Sequence, residues 1–253
     1  MVADRIRSMT GWHWIVLFGG VLFAWAAVFA MAVPAEMRQL GAIYGADFWE
    51  SLCTITPDAG GYFRLLAMWI LMSAAMMAPT ALPAFAAYED LAAQTDDADF
   101  GKLVAGYLVI WIGFSVAAAG LQLMLFQVGL IGTLGESRSA LFSAVLLAGA
   151  GAYQFSALKE SCLSKCRMPV TFFMAHWNEG PWRNGIRLGA VCLGCCWALM
   201  LLGFVGGVMN IAFMGLATVI MVFEKLPDIG RYVTRPLGFV LIGAAAFVAV
   251  GAL

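Results

Sequence analysis

Long apolar runs dominate this chain and decide what it can fold into. Seven of them occur, at about residues 13–33, 64–87, 103–131, 139–158, 187–205, 208–225 and 235–253. The hydrocarbon core of a bilayer is about 30 Å thick, and a helix needs roughly 20 apolar residues to cross it. The chain is 63% hydrophobic and 11% charged, whereas a soluble domain is roughly 45–50% apolar and about 25% charged. We therefore predict an all-α fold, a single polytopic transmembrane helix bundle of about seven helices over residues 1–253.

The basic residues indicate how these helices are oriented. Lys and Arg are retained on the cytoplasmic side of a membrane. A cytoplasmic N-terminus places eleven of the 14 Lys and Arg residues on that side and three on the other. The loop 34–63 then becomes the main external feature, and Cys53 is the lone cysteine within it.

Charge and motif content exclude two broad classes of function. A net charge of −1 gives the chain no electrostatic basis for binding nucleic acid. The sequence contains no glycine-rich phosphate-binding loop, so we do not expect this chain alone to drive pumping with ATP. The expected partners are the lipid bilayer and a membrane or metal-receiving protein.

Five of the six cysteines fall in two groups at the predicted cytoplasmic side. Cys162 and Cys166 are four residues apart, at the end of the fourth predicted helix. Cys192, Cys195 and Cys196 lie about two turns into the fifth predicted helix, at spacings of three and four residues. Residues with these spacings share one face of a helix. We therefore predict that the two groups lie at a similar depth and face a common centre.

Two further residue types accompany the cysteines. Met72 and Met76, four residues apart, belong to a methionine stripe on the second predicted helix that approaches the same half of the membrane. Glu224 ends the sixth predicted helix at the same face. It could close a metal site, or it could pair with Lys159 or Lys225.

Thiolates and thioethers are soft ligands that select Cu(I), and thiolates also suit zinc. The predicted ligands are therefore all five clustered cysteines with Met72, Met76 and Glu224, and the predicted ion is copper(I), with zinc as the alternative. A plainer interpretation is packing, because buried cysteine behaves as a small hydrophobic residue and methionine fills irregular gaps.

The sequence also resembles a bacterial family of predicted metal-binding integral membrane proteins, a domain of unknown function. The resemblance covers roughly residues 12–235. It is carried by Met68-Trp69, Met72-Ser73-Ala74-Ala75-Met76-Met77-Ala78-Pro79, Leu158-Lys159, Cys162, Cys166, Pro169, Gly194-Cys195-Cys196-Trp197-Ala198-Leu199-Met200, Met209-Asn210 and Glu224-Lys225. It implies that the methionine and cysteine motifs belong to one feature, and it names no substrate.

Three functions are compatible with these patterns. The leading hypothesis is a multi-pass protein of the bacterial inner membrane that binds and handles a soft metal, copper, and transports it or delivers it to a cuproenzyme. The second is a membrane thiol–disulfide oxidoreductase, which the predicted location of the cysteines in a reducing compartment disfavours. The third is a structural subunit of a larger membrane complex. No catalytic residue is predicted, and the chain is not expected to be an enzyme.

Overall fold

The computed structural model describes residues 11–32, 52, 54–93 and 99–251, and within these ranges it contains helices and no β-strand. The predicted all-α helical bundle is confirmed. Cys53 and most of the predicted external loop lie outside the described residues. The helices are α1 (Trp12–Ala32), α2 (Ala59–Ala92), α3 (Phe100–Gln127), α4 (Ala140–Tyr153), α5 (Ala157–Arg167), α6 (Pro169–His176), α7 (Gly180–Leu201), α8 (Gly203–Gly206), α9 (Ile211–Lys225) and α10 (Gly230–Val250).

Five of the described segments are long and apolar enough to cross a bilayer: α1, α2, α3, the segment Pro169–Gly206 and α10. The pair formed by α4 and α5 makes a sixth if it counts as one span bent by 61°. The chain is therefore a multi-pass membrane protein. The number of seven spans stays a prediction, because α9 occupies the sixth predicted run and has only 15 residues.

The bend after α4 changes the location of the first cysteine pair. The fourth predicted helix covers about 139–158 and has Cys162 and Cys166 at its cytoplasmic end, but α4 ends at Tyr153. Ser156 then caps a separate helix, since its hydroxyl accepts a hydrogen bond from the amide of Lys159 at 3.1 Å. A serine at this position satisfies amides that a new helix leaves unpaired. The two cysteines therefore lie on the short helix α5, set at an angle to the helix before it.

Glycines bring α3 and α7 into backbone contact. A Cβ atom on Gly185 would lie 2.1 Å from the carbonyl oxygen of Leu103, and one on Gly106 would lie 2.4 Å from the carbonyl oxygen of Trp182. Gly189, one turn further along α7, lies against the backbone of Tyr107. Small residues allow membrane helices to approach in this way. This contact sets the distance between Tyr107 and the cysteines that follow Gly189 on α7.

Buried polar pairs hold α2 against α3. The indole nitrogen of Trp69 donates to the side-chain oxygen of Gln122 at 2.6 Å, and the hydroxyls of Ser73 and Ser115 lie 3.2 Å apart. Interhelical hydrogen bonds of this kind stabilise membrane bundles. They fix the rotation of α2, and so decide which of its side chains faces α7 and α9.

A glycine turn joins α7 and α8 to α9. Gly207 has a φ of +88°, in the left-handed region that favours glycine. Asn210 then caps α9, because its side-chain oxygen accepts a hydrogen bond from the amide of Phe213 at 3.1 Å. The turn sends α9 back along the bundle, and its far end carries Glu224 and Lys225.

Candidate metal centre

Three thiols meet inside the bundle on α7. The Sγ atoms of Cys192, Cys195 and Cys196 all lie within 4.8 Å of one another, and each residue is at most 2% exposed. Cys192 and Cys196 continue the face of α7 on which Gly185 and Gly189 lie, since these positions are separated by three or four residues. The thiols of Cys195 and Cys196 are 3.3 Å apart. We call these three residues the thiol group.

Polar side chains from three other helices surround Cys192. The ammonium of Lys225, on α9, donates to its sulfur at 3.0 Å, and the hydroxyl of Tyr107, on α3, lies 3.2 Å from the same atom. Lys225 also donates to the hydroxyl of Thr80, on α2, at 2.6 Å. Tyr107 and Thr80 both donate to the carbonyl oxygen of Met77, at 3.0 and 2.9 Å. The sulfur of Cys192 is therefore held in a network that four helices build.

The positive charge of Lys225 has an unusual environment. Its side chain is buried, with 9% exposed. Within the described part of the chain it forms no ion pair with a carboxylate, and the neighbouring Glu224 pairs with Lys159 instead. A buried charge is costly unless an opposite charge or several hydrogen bonds compensate it. The cysteine sulfur is thus the group beside Lys225 that can carry the compensating negative charge.

The cysteines of α5 lie next to the thiol group without joining it. Cys166 and Cys192 both border a crevice of about 20 Å³, which Lys225 also lines. Cys162 packs against Gly194, where a Cβ atom would lie 2.6 Å from its sulfur. Both α5 cysteines are partly exposed, so they stand between the buried thiols and the outside of the bundle.

A family profile matches most of this chain. The profile is that of PpoB2, described as a copper chaperone, and it covers residues 66–248. The chain belongs to the PpoB2 copper chaperone family. The match includes the thiol group, Lys225 and both cysteines of α5. No curated protein and no solved structure matches the chain significantly.

Membership of the PpoB2 family agrees with the chemistry of the site and with the metal-binding resemblance noted from the sequence. Among the described residues, no carboxylate or imidazole belongs to the group of three thiols. An all-sulfur set of this kind fits a soft ion and does not fit calcium or magnesium, which take oxygen ligands. The family and the thiol group together support a copper-handling role.

Glu224, which we predicted as a ligand, lies in a different contact. Its Oε2 atom is 2.9 Å from the ammonium of Lys159, and both side chains are 1% exposed. Successive residues on a helix point about 100° apart, so Glu224 faces α5 whereas Lys225 faces the thiols. The structure does not bring Glu224 into the thiol group, and its role as a ligand of the PpoB2 site stays a prediction.

The two predicted methionine ligands lie in the core of the bundle. Met72 and Met76 are 2% and 3% exposed. Together with Thr80 they occupy one face of α2, because the three positions are four residues apart. Thr80 contacts Lys225, so Met76 lies about one turn from the site. Coordination by these thioethers stays a prediction.

Sequence reasoning missed Lys225, Tyr107 and Thr80 as residues of the site. For Lys225 a signal was present: Met214, Thr218 and Met221 precede it at helical spacing and are all buried. A lysine that continues an inward-facing stripe of a membrane helix indicates a functional position. For Tyr107 and Thr80 the sequence gave no comparable signal, since a single hydroxyl in an apolar helix is common.

Proposed function

We propose that this PpoB2-family chain is a membrane chaperone that holds one Cu(I) ion on Cys192, Cys195 and Cys196 and passes it to a metal-receiving protein. One observation carries the proposal. Three buried thiols share one centre, and a buried lysine without a carboxylate partner among the described residues donates to one of them. Packing alone would give no reason to bury an ammonium against sulfur.

The charges of the site favour this assignment. A Cu(I) ion held by two thiolates carries one net negative charge, which is costly to bury. The ammonium of Lys225, 3.0 Å from Cys192, would cancel it and leave a neutral site. A third sulfur then binds as a neutral thiol. Zinc with three thiolates would be balanced in the same way, and it remains the alternative ion.

The α5 cysteines support a route for the ion. Cys166 borders the crevice that reaches Cys192, and it is more exposed than the thiol group. An ion could pass from Cys162 and Cys166 to the buried thiols, or back, by exchanging one sulfur ligand at a time. Delivery to a cuproenzyme would then begin at α5, where a partner can reach the ligands.

The location of the site follows from the predicted orientation. We propose that the chain lies in the bacterial inner membrane with its N-terminus in the cytoplasm, because Lys and Arg concentrate at one end of the predicted spans. The cysteines of α5 then face the cytoplasm. Copper would be exchanged on that side.

Competition for Cu(I) tests the proposed function. The purified full-length chain, under reducing conditions, is titrated against a chromophoric Cu(I) chelator of known affinity. We expect one Cu(I) per wild-type chain and loss of most of it in Cys192→Ser/Cys195→Ser/Cys196→Ser. Serine keeps the size of the side chain and removes the soft ligand. Cys53→Ser is the matched control, since it removes one thiol from the predicted external loop.

Several results would contradict the proposal. Equal copper stoichiometry in the wild-type chain and the triple serine variant would leave the thiol group as packing. Preference for Zn²⁺ over Cu(I) would assign the site to zinc. Thiols that cycle to disulfides with a quinone or thiol partner, with no metal bound, would favour the oxidoreductase.

A further inference from the structure

A second cavity lies on the other side of α5 from the thiol group. It is a groove of about 820 Å³ between α4, α5 and α10, and it opens to the surface of the bundle. Gly151 of α4 and Gly238 of α10 bring these two helices together, since a Cβ on Gly151 would lie 3.0 Å from the carbonyl oxygen of Gly238. Beyond this contact the 61° bend turns α5 away from α4, and the groove occupies the space that opens.

Two arginines line one wall of this groove. Arg231 and Arg235 are one turn apart on α10, so their side chains lie on the same face. Both are exposed, and neither forms an ion pair within the described ranges of the chain. Guanidinium groups bind phosphate through several parallel hydrogen bonds. This wall is suited to a phosphate group.

The floor of the groove carries hydrogen-bond acceptors, whereas the arginines are donors. Gln154 lines the groove and is 5% exposed, and its Oε1 atom has no hydrogen-bond partner among the described residues. A buried carbonyl oxygen left without a donor is unfavourable, because the hydrogen bonds that it gave up on leaving water are not replaced. Glu160, at the rim, adds a carboxylate that also accepts hydrogen bonds. Glu160 already pairs with Arg167 at 3.3 Å, so the unpartnered Gln154 oxygen is the acceptor that calls for a donor from the occupant, and Glu160 can accept a further hydrogen bond.

Aromatic rings complete the lining. Phe155 and Phe239 both line the groove and contact each other edge to face, with ring centres 5.0 Å apart, and they are 43% and 68% exposed. Tyr232, which is 80% exposed, also lines the groove, and tyrosine is enriched at the boundary between the headgroup and the acyl region of a membrane. An occupant with an apolar tail would cover them.

We propose that this groove binds a phospholipid of the phosphatidylethanolamine class. Its phosphate would bind Arg231 and Arg235, its ammonium would donate to Gln154 and Glu160, and its acyl chains would pack along Phe155 and Phe239. Phosphatidylcholine has the same phosphate and the same net charge, but its quaternary ammonium has no N–H group. The unpaired oxygen of Gln154 therefore predicts discrimination between these two lipids.

Native mass spectrometry of the full-length chain in detergent tests the proposal. The chain is titrated with phosphatidylethanolamine and phosphatidylcholine of identical acyl chains, and with soluble phosphoethanolamine. We expect phosphatidylethanolamine to bind about tenfold more tightly than phosphatidylcholine, the difference given by one hydrogen bond to a charged donor. Arg235→Gln and Gln154→Leu should each weaken its binding by about tenfold. Arg183→Gln, which removes an exposed arginine outside the groove, should leave it unchanged.

Three outcomes would overturn the proposal. Equal binding of the two lipids would remove the role of Gln154. An equal loss in Arg183→Gln and Arg235→Gln would mean that any surface charge attracts the lipid. Binding of phosphoethanolamine as tight as that of the lipid would assign the groove to a soluble phosphate compound. If Gln154→Leu fails to fold, Arg235→Gln and the comparison of the two lipids on the wild-type chain still test whether the groove binds phosphatidylethanolamine.

Discussion

Replacing Lys159 by methionine should be among the most destabilising single changes in this protein. The ammonium lies 2.9 Å from Glu224, and both side chains are 1% exposed. Arg167 does not replace Lys159 as the partner of the Glu224 carboxylate, because its guanidinium donates to the backbone carbonyl of Glu224 and to the side chain of Glu160. The other carboxylate oxygen of Glu224 has no hydrogen-bond partner in the part of the chain that the structure describes. Lys159→Met would therefore leave a buried carboxylate without its counter-charge.

The expected magnitude follows from the burial of this pair. Removing one partner of a buried ion pair costs about 3–5 kcal/mol, because the remaining charge is uncompensated. Removing both partners is often nearly neutral, so Lys159→Met/Glu224→Met should recover most of the lost stability. Lys102 provides the control. Its pair with Asp99 is exposed, with 65% and 47% of the side chains accessible, and such a pair contributes about 0–1 kcal/mol.

Reversible unfolding in mixed micelles, followed by tryptophan fluorescence, gives the free energies for these variants. A loss in Lys159→Met no larger than in Lys102→Met would refute the reasoning. So would a double variant as unstable as the sum of the two single variants. The double variant also tests Glu224 as a ligand: since Glu224 lies outside the thiol group, we expect it to keep its copper. Loss of copper in a folded double variant would show that Glu224 contributes to the site.

Three further predictions concern packing, the site and topology. Gly185→Ala should destabilise the chain by about 1–3 kcal/mol in the same unfolding assay, because the new Cβ would lie 2.1 Å from a carbonyl oxygen of α3. Gly113→Ala should not, because a Cβ there would meet no atom of the described residues within 4 Å. Lys225→Met should weaken Cu(I) binding by about tenfold or more in chelator competition, and Lys225→Arg should retain most of the wild-type affinity. An equal loss of affinity in the two variants would show that the positive charge has no role. Reporter fusions after residues 95 and 180 should both give a cytoplasmic signal, and a periplasmic signal from either would contradict the orientation.

The helical fold could be predicted from the sequence because its signal is local. Apolar runs of bilayer length need no tertiary information, and helical spacing alone placed Cys192, Cys195 and Cys196 on one face. The proximity of the three Sγ atoms follows from that spacing. The end of α4 could not be predicted, because the break depends on Ser156 capping a new helix inside an otherwise continuous apolar pattern.

The role of α9 shows what sequence reasoning lacked. Glu224 continues the helical spacing of Met214 and Met221, but a small rotation of the same stripe selects Lys225 instead. Both end residues are buried, with 1% and 9% exposed, because α9 contacts α2 on one side and α5 on another. Which of them faces the thiols depends on how α9 packs, and the periodicity of one helix does not contain that information.

X-ray absorption at the copper edge of the Cu(I)-loaded chain tests the central claim most directly. The thiol group contains no oxygen or nitrogen ligand among the described residues. We therefore predict a first coordination shell made only of sulfur, which disappears in Cys192→Ser/Cys195→Ser/Cys196→Ser. A first shell of nitrogen or oxygen atoms, or an unchanged sulfur shell in the triple serine variant, would contradict the assignment of copper to these three cysteines.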